Sequence, residues 1–255
     1  MTSVISHSIA GTGHYKDPYS FKNDANAVAP YYDGWTFTLS ASCTAQMIAS
    51  AGTHNKVLEL YDNNAAGNAV AKFRIGTQTS GTIEYWIMVS NSDVIILMQM
   101  DSGDASNGPN LRFNADATIE YRNAAAVWTD IVGYAANTWY RIRIDFECGA
   151  GGYEGLAADH MHVYINDTKY SDLEFYKAKD NLTRLYISSN NVAVGTYTYI
   201  DATGFVGLNG YILGDNATQY TTIPYKHVKA KRGAHESHHD FSSFDITKMS
   251  FPSQI

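Results

Sequence analysis

The sequence predicts an all-β fold of two antiparallel sheets packed face to face. Short runs in which apolar and polar residues alternate recur from end to end, and Gly, Asn and Asp interrupt them. No stretch long enough for a helix shows a 3.6-residue apolar period. Strands spaced this closely, with no helices between them, pair antiparallel and bury one face against a second sheet.

The predicted strands, in chain order, are Val57 to Tyr61, Lys72 to Ile75, Thr82 to Val89, Val94 to Met100, Leu111 to Phe113, Thr118 to Arg122, Val127 to Val132, Trp139 to Phe146, His160 to Ile165, Leu182 to Ser188 and Tyr197 to Phe205. Two runs alternate well enough to assign faces. In Trp139 to Glu147, Tyr140, Ile142, Ile144 and Phe146 share the core side, and Arg141, Arg143, Asp145 and Glu147 share the other. In His160 to Asn166, Met161, Val163 and Ile165 point inward while His160, His162, Tyr164 and Asn166 point outward. These polar faces read as ordinary solvent-facing sheet, with the lining of a groove as the alternative.

Composition bounds what the chain does. Of 255 residues, 45% are hydrophobic and 17% charged, as expected of a folded protein, and a sandwich of this size can remain one domain. The 19 tyrosines suit pleated, half-buried surfaces and also wet interfaces and sugar faces. A net charge of -7 argues against a nucleic-acid partner, whose phosphates are neutralised by clustered Lys and Arg. No apolar run is long enough to span a bilayer. The first residues lack the basic start and apolar stretch of a secretory signal, so a mature form, an excised piece or a protein exported otherwise is expected, placed outside the cell or on a particle surface. Cys43 and Cys148 exclude a disulfide framework and are expected to be buried free thiols, with a single bridge as the alternative.

Texture divides the chain into an N-terminal segment, 1–18, a sandwich, 19–223, and a basic, His-rich C-terminal extension, 224–255. That extension carries His235, His238 and His239, which have the donors for a metal ion but read as a polar tail that could take up metal incidentally.

Gly81-Thr-Ile-Glu-Tyr-Trp-Ile87, Ala117-Thr-Ile-Glu-Tyr121, Asn137-Thr-Trp-Tyr-Arg-Ile-Arg-Ile144 and Met161-His-Val-Tyr-Ile-Asn-Asp167 occur in that order. This succession resembles the laminin-G-like branch of the concanavalin A-like lectin and glucanase superfamily. The resemblance spans roughly Tyr19 to Asn216 and departs from the family at the last turn, where Asn166-Asp167-Thr168 stands for the usual Asp-Gly; Asn tolerates the left-handed conformation as well. It implies a jelly roll of one convex and one concave sheet, in a family of lectins, adhesion modules, carbohydrate-binding modules, glycosidases and lyases. It also implies one structural calcium, for which Asp24 and Asp201 stand where carboxylates are expected, and it places Trp86 and Trp139 at least partly in the core.

Among the aromatic residues, Tyr31, Tyr32 and Trp128 lie next to loop signals and are the candidates for sugar stacking. Glycoside hydrolysis needs two carboxylates about 5 to 9 Å apart on one groove. The alternating acids that the glucanase members carry, Glu-x-Asp-x-x-Glu, are absent; Asp145 and Glu147 alternate without a third. Arg141, Arg143, His162 and Tyr164 lie on polar faces as candidate ligand-binding residues and are of the types a lyase would use. The function expected is non-catalytic recognition of a glycan or assembly with a neighbouring subunit, with homo-oligomers forming through the terminal segments. A structural subunit of a virion, tail or filament and a polysaccharide lyase or glycosidase are the alternatives.

Overall fold

The computed structural model describes residues 14–15, 20–29, 34–103, 107–190, 194–208 and 210–220. The chain divides into Met1–Thr222 and Ile223–Ile255, and every described residue belongs to the first unit. The predicted extension 224–255, with its histidines, lies outside the described residues.

The strands are β1 (Trp35–Leu39), β2 (Thr44–Ala51), β3 (His54–Asp62), β4 (Ala69–Gln78), β5 (Ser80–Val89), β6 (Ile96–Asp101), β7 (Asn107–Phe113), β8 (Thr118–Arg122), β9 (Trp128–Gly133), β10 (Tyr140–Glu147), β11 (His160–Ile165), β12 (Thr168–Glu174), β13 (Leu182–Ser189) and β14 (Thr196–Phe205). Two single turns of 3-10 helix, Tyr153–Gly155 and Asp215–Ala217, are the only helical elements among the described residues, and no helix there is long and apolar enough to cross a membrane.

All pairings are antiparallel and form two seven-stranded sheets. The first runs β1-β4-β13-β6-β7-β8-β9 and the second β12-β11-β10-β5-β14-β3-β2. All eleven predicted strands are present. The three that the alternation did not reveal, β1, β2 and β12, are each at a sheet edge. An edge strand has one neighbour and little burial, so its sequence is under weak pressure to alternate; β12 has no buried residue at all.

The core lies between the sheets, and the predicted inner set fills it. Ile142, Ile144 and Phe146 are fully buried and Tyr140 nearly so; Ile83, Tyr85 and Ile87 of β5 stand beside them, with Met98, Leu111, Phe113, Leu185 and Ile187 from the first sheet. The β11–β12 hairpin turns on Asn166 and Asp167 at φ 47° and 69°. Two left-handed residues make the tight turn whose twist matches the flanking strands, so this departure from Asp-Gly keeps the same geometry. Cys43 and Cys148 are both buried free thiols, and burial pushes the Cys148 thiol up to about 12.

Replacing Ile144 by Ala removes a fully buried side chain from the middle of β10 and should cost about 2–5 kcal/mol. Thr36→Ala on the outer face of β1 should stay within about 0.5 kcal/mol. Urea unfolding of the two variants measures both, and a loss at Ile144 no larger than that at Thr36 would contradict the assigned faces.

Candidate functional site

Arg141, Arg143, His162 and Tyr164 do share one face, the outer side of the second sheet. Arg143 stands opposite Tyr164 on β11 and Glu84 on β5, while Asp145 stands opposite His162 and Thr82. The expectation of a solvated face is corrected here: Glu84, Asp145, Glu147 and His162 are all buried. The chain covers this face itself. The glycine-rich turn 149–155 crosses one end, where the Tyr153 hydroxyl meets Thr82 Oγ1 at 2.8 Å and Glu147 accepts from the Gly149 and Tyr153 N–H groups. Segment 210–220 crosses the other end, where the Tyr211 hydroxyl and the Gly214 N–H donate to Glu84.

Under that cover the polar groups satisfy one another. Arg141 donates to Glu84 at 2.6 Å, to Asp167 at 2.8 Å and to the Asn216 side-chain oxygen at 3.1 Å. Arg143 grips Asp145 through both carboxylate oxygens, each at 2.8 Å, and lies 4.3 Å over the half-buried Tyr164 ring. His162 Nδ1 accepts from the Asp172 N–H at 3.0 Å, which fixes Nε2 as the protonated nitrogen donating to the Glu154 carbonyl. Both ring nitrogens are thereby engaged with backbone.

Deeper on the same face, and invisible to sequence reasoning, is a chain of hydrogen bonds from Tyr15 to His54 to Asp201. The Tyr15 hydroxyl is 3.2 Å from His54 Nε2, and His54 Nδ1 is 2.9 Å from Asp201 Oδ2. The ring stacks on Trp139 at 3.9 Å and meets the edge of Trp86. A bulge follows between Asp201 and Gly204, with Ala202 at φ 49°, and the Ala202 N–H also donates to the Asp201 carboxylate. Burial pushes His54 down to about 3 and Asp201 well up, so both favour their neutral forms. Gly204 is required beside this bulge, because a Cβ there would stand 2.2 Å from the Tyr211 ring.

Asp24 and Asp201, the residues expected to hold calcium, both contact neighbouring side chains. Asp24 sits in a turn, its carbonyl accepting from Lys56 Nζ at 2.6 Å, and burial raises its carboxyl despite the Lys56 charge. Asp201 is engaged as above. Among the described residues, no three His, Cys, Asp or Glu side chains are grouped to hold a metal ion. Tyr31 and Tyr32 lie outside the described residues.

Trp128 is on the opposite side of the molecule, at the β9 edge of the first sheet. Register lines up Thr36, Lys72, Tyr186, Gln99 and Asn110 across five strands, and beside that row Ser188, Leu97, Arg112, Glu120 and Asp130. At the usual strand spacing the first row is roughly 19 Å long. Gln99 donates to Asn110 Oδ1 at 3.1 Å, and the buried Asn110 Nδ2 has no partner among the described residues. A buried donor left so is a place for an ordered water or a ligand oxygen.

At the end of this face the half-exposed Trp128 ring carries the Arg112 guanidinium 4.1 Å above it. Arg122 lies 5.7 Å from Trp128 and 4.0 Å over Tyr176, whose ring also carries Lys177 at 4.7 Å. Arg112 is further tied to Glu120, which also accepts from Asn114. One face of the Trp128 ring is therefore covered, which corrects the picture of a bare stacking platform; indole, phenol and guanidinium planes together form a ledge. Arg112, Gln99 and Tyr186 were not singled out in the sequence, although their neighbours Leu111, Phe113, Met98, Leu185 and Ile187 alternate with them as on β10.

No protein-family model matches the sequence, and no curated protein is significantly similar to it. Solved structures do match. A sialidase superposes with a TM-score of 0.62 at 10% identity over 78% of this chain, which spans 19% of that enzyme's length. The carbohydrate recognition domain of Emp47p gives 0.47 at 12% identity over 75% of this chain and 96% of its own, and the carbohydrate binding module CBM66 from Bacillus subtilis gives 0.40 at 14% identity over 66% and 95%. The fold is a two-sheet antiparallel β-sandwich of the jelly-roll kind, shared over most of this chain with part of that sialidase.

Arg141→Gln leaves Glu84 without its cationic partner in a buried site and should destabilise the domain by about 3–5 kcal/mol. The double variant with Glu84→Gln removes the stranded charge and should recover part of that loss. Denaturant unfolding of the set measures the coupling, and strictly additive losses would contradict a closed, interdependent network.

Proposed function

We propose that this chain is a non-catalytic glycan-recognition module whose ligand docks on the outer face of the first sheet, against the ledge of Trp128, Arg112, Arg122 and Tyr176. The observation that carries this reading is the contrast between the two outer faces. On the second sheet the charged groups are buried under the chain's own loops and matched to one another. On the first sheet Gln99, Asn110 and Glu120 are buried as well, but the row ends at half-exposed aromatic and guanidinium planes held in place by mutual stacking.

Such planes suit a sugar, which offers C–H faces to rings and hydroxyls to planar donors. Rigid rings and clamped guanidiniums also lose little side-chain freedom when a ligand arrives. The state of two acids supports recognition over glycoside hydrolysis. Asp145 is gripped by Arg143 and Thr82, and Glu147 by two backbone N–H groups, so neither stands in a groove as an acid or base. In this reading the protein works where glycans are displayed, at a cell or particle surface.

A glycan array probed with the full chain tests this, followed by titration of the best ligand. Trp128→Ala should weaken binding about tenfold or more, near 1.4 kcal/mol, with the thermal midpoint of folding close to that of the parent. Unchanged affinity in Trp128→Ala, or loss instead on Tyr164→Ala of the second sheet, would place the ligand elsewhere.

A further inference from the structure

The arginines of the described domain differ in what their guanidinium groups do. Arg112 pairs with Glu120, Arg141 with Glu84 and Asp167, Arg143 with Asp145 and Arg184 with Asp101. Like the exposed Arg74, Arg122 has no carboxylate partner among the described residues. It is nevertheless held on three sides. Its Nε donates to the Ala126 carbonyl of its own hairpin at 3.3 Å, Tyr176 lies beneath its plane at 4.0 Å, and Trp128 stands across the strand pair. The terminal Nη1 and Nη2 groups, with four N–H donors, meet no acceptor among the described residues. An oriented guanidinium with its terminal donors open is the geometry that takes a carboxylate or sulfate through two parallel hydrogen bonds.

The surroundings favour an anion further. Lys177 shares the Tyr176 ring, and Arg112 shares the Trp128 ring. Of the carboxylates on these strands, Glu120 is tied to Arg112 and Asn114, and Asp130 stands opposite it on the edge strand. In a protein whose overall charge is -7, three cations around two rings form a local exception.

We infer that the glycan taken by this face is anionic, and that Arg122 binds its carboxylate or sulfate group. This rests on the glycan-binding reading above and narrows it to a class of ligand. The anion is recognised by charge and by the planar fork together, so Lys at this position retains the first and loses the second.

Calorimetric titration of the full chain tests the inference with four probes: oligomers of galacturonate, the same oligomers as methyl esters, sulfated galactan oligomers and their desulfated forms. The charged member of at least one pair should bind at least about tenfold tighter than its neutral counterpart, and that preference should shrink as salt is raised. Arg122→Gln should abolish the preference while leaving residual binding of the sugar backbone, and Arg122→Lys should retain part of it. Equal affinity within both pairs, or a preference unchanged in Arg122→Gln, would overturn the anionic class and leave glycan recognition standing. Binding by none of the four, with no neutral hit on the array, would overturn both. Binding of an acidic peptide in preference to every oligosaccharide would transfer the face to a protein partner and overturn the inference as well.

Discussion

The two-residue period of paired strands governs this molecule. A strand cannot turn one side chain inward without turning the next outward, and a slip of one residue would exchange the faces along its whole length. With Ile142, Ile144 and Phe146 fixed inside, Arg141, Arg143 and Asp145 are fixed outside. The same rule on β7 puts Leu111 and Phe113 inside and Arg112 outside. Core and binding surface are thus two readings of one register, and neither is adjustable without the other.

What happens on the two outer faces differs because the connections differ. On the second sheet, the glycine-rich turn 149–155 and segment 210–220 fold back over the strands. Groups such as Glu84 and Asp145 leave water, and each requires a matched cation. Buried pairs of this kind add little net stability compared with apolar residues of the same shape, but they penalise every arrangement in which a partner is missing. They therefore specify how the covering segments seat. The His54–Asp201 pair, sealed by Trp86, Trp139 and Tyr15, serves in the same way, with burial holding both groups to their neutral forms. On the first sheet the Arg112, Trp128, Arg122 and Tyr176 groups stack on each other, and polar surface stays at hand for a ligand.

Much of this was legible in the sequence, and the failures have physical causes. β10 alternates over its full length since it is central, with partners on both sides and a packed core beneath. β1, β2 and β12 went unseen because an edge strand is half-solvated and tolerates almost any pattern. Trp128, Arg141, Arg143, His162 and Tyr164 could be named but not sorted. Which sheet a strand joins depends on chain crossovers, and only the topology shows that Trp128 is on the sheet opposite the other four. The burial of Asp145, Glu147 and His162 was hidden for a related reason, since covering loops leave no periodic trace. His54 and Asp201 are 147 residues apart and meet through strand pairing that no local pattern announces. Arg112 and Tyr186, by contrast, were accessible to the same face-assignment rule, had it been carried from β10 to β7 and β13.

The register of the first sheet is the claim on which the binding surface stands, and single-cysteine labelling tests it directly. Cysteine placed in turn at Lys72, Arg112 and Tyr186, and at their neighbours Phe73, Leu111 and Leu185, would be challenged with a water-soluble maleimide under native conditions. The buried Cys43 and Cys148 supply the background rate. The outer three should label rapidly and the inner three only at the rate of unfolding. Equal rates in both sets, or the reverse order, would contradict the assigned faces and remove the ledge from the surface.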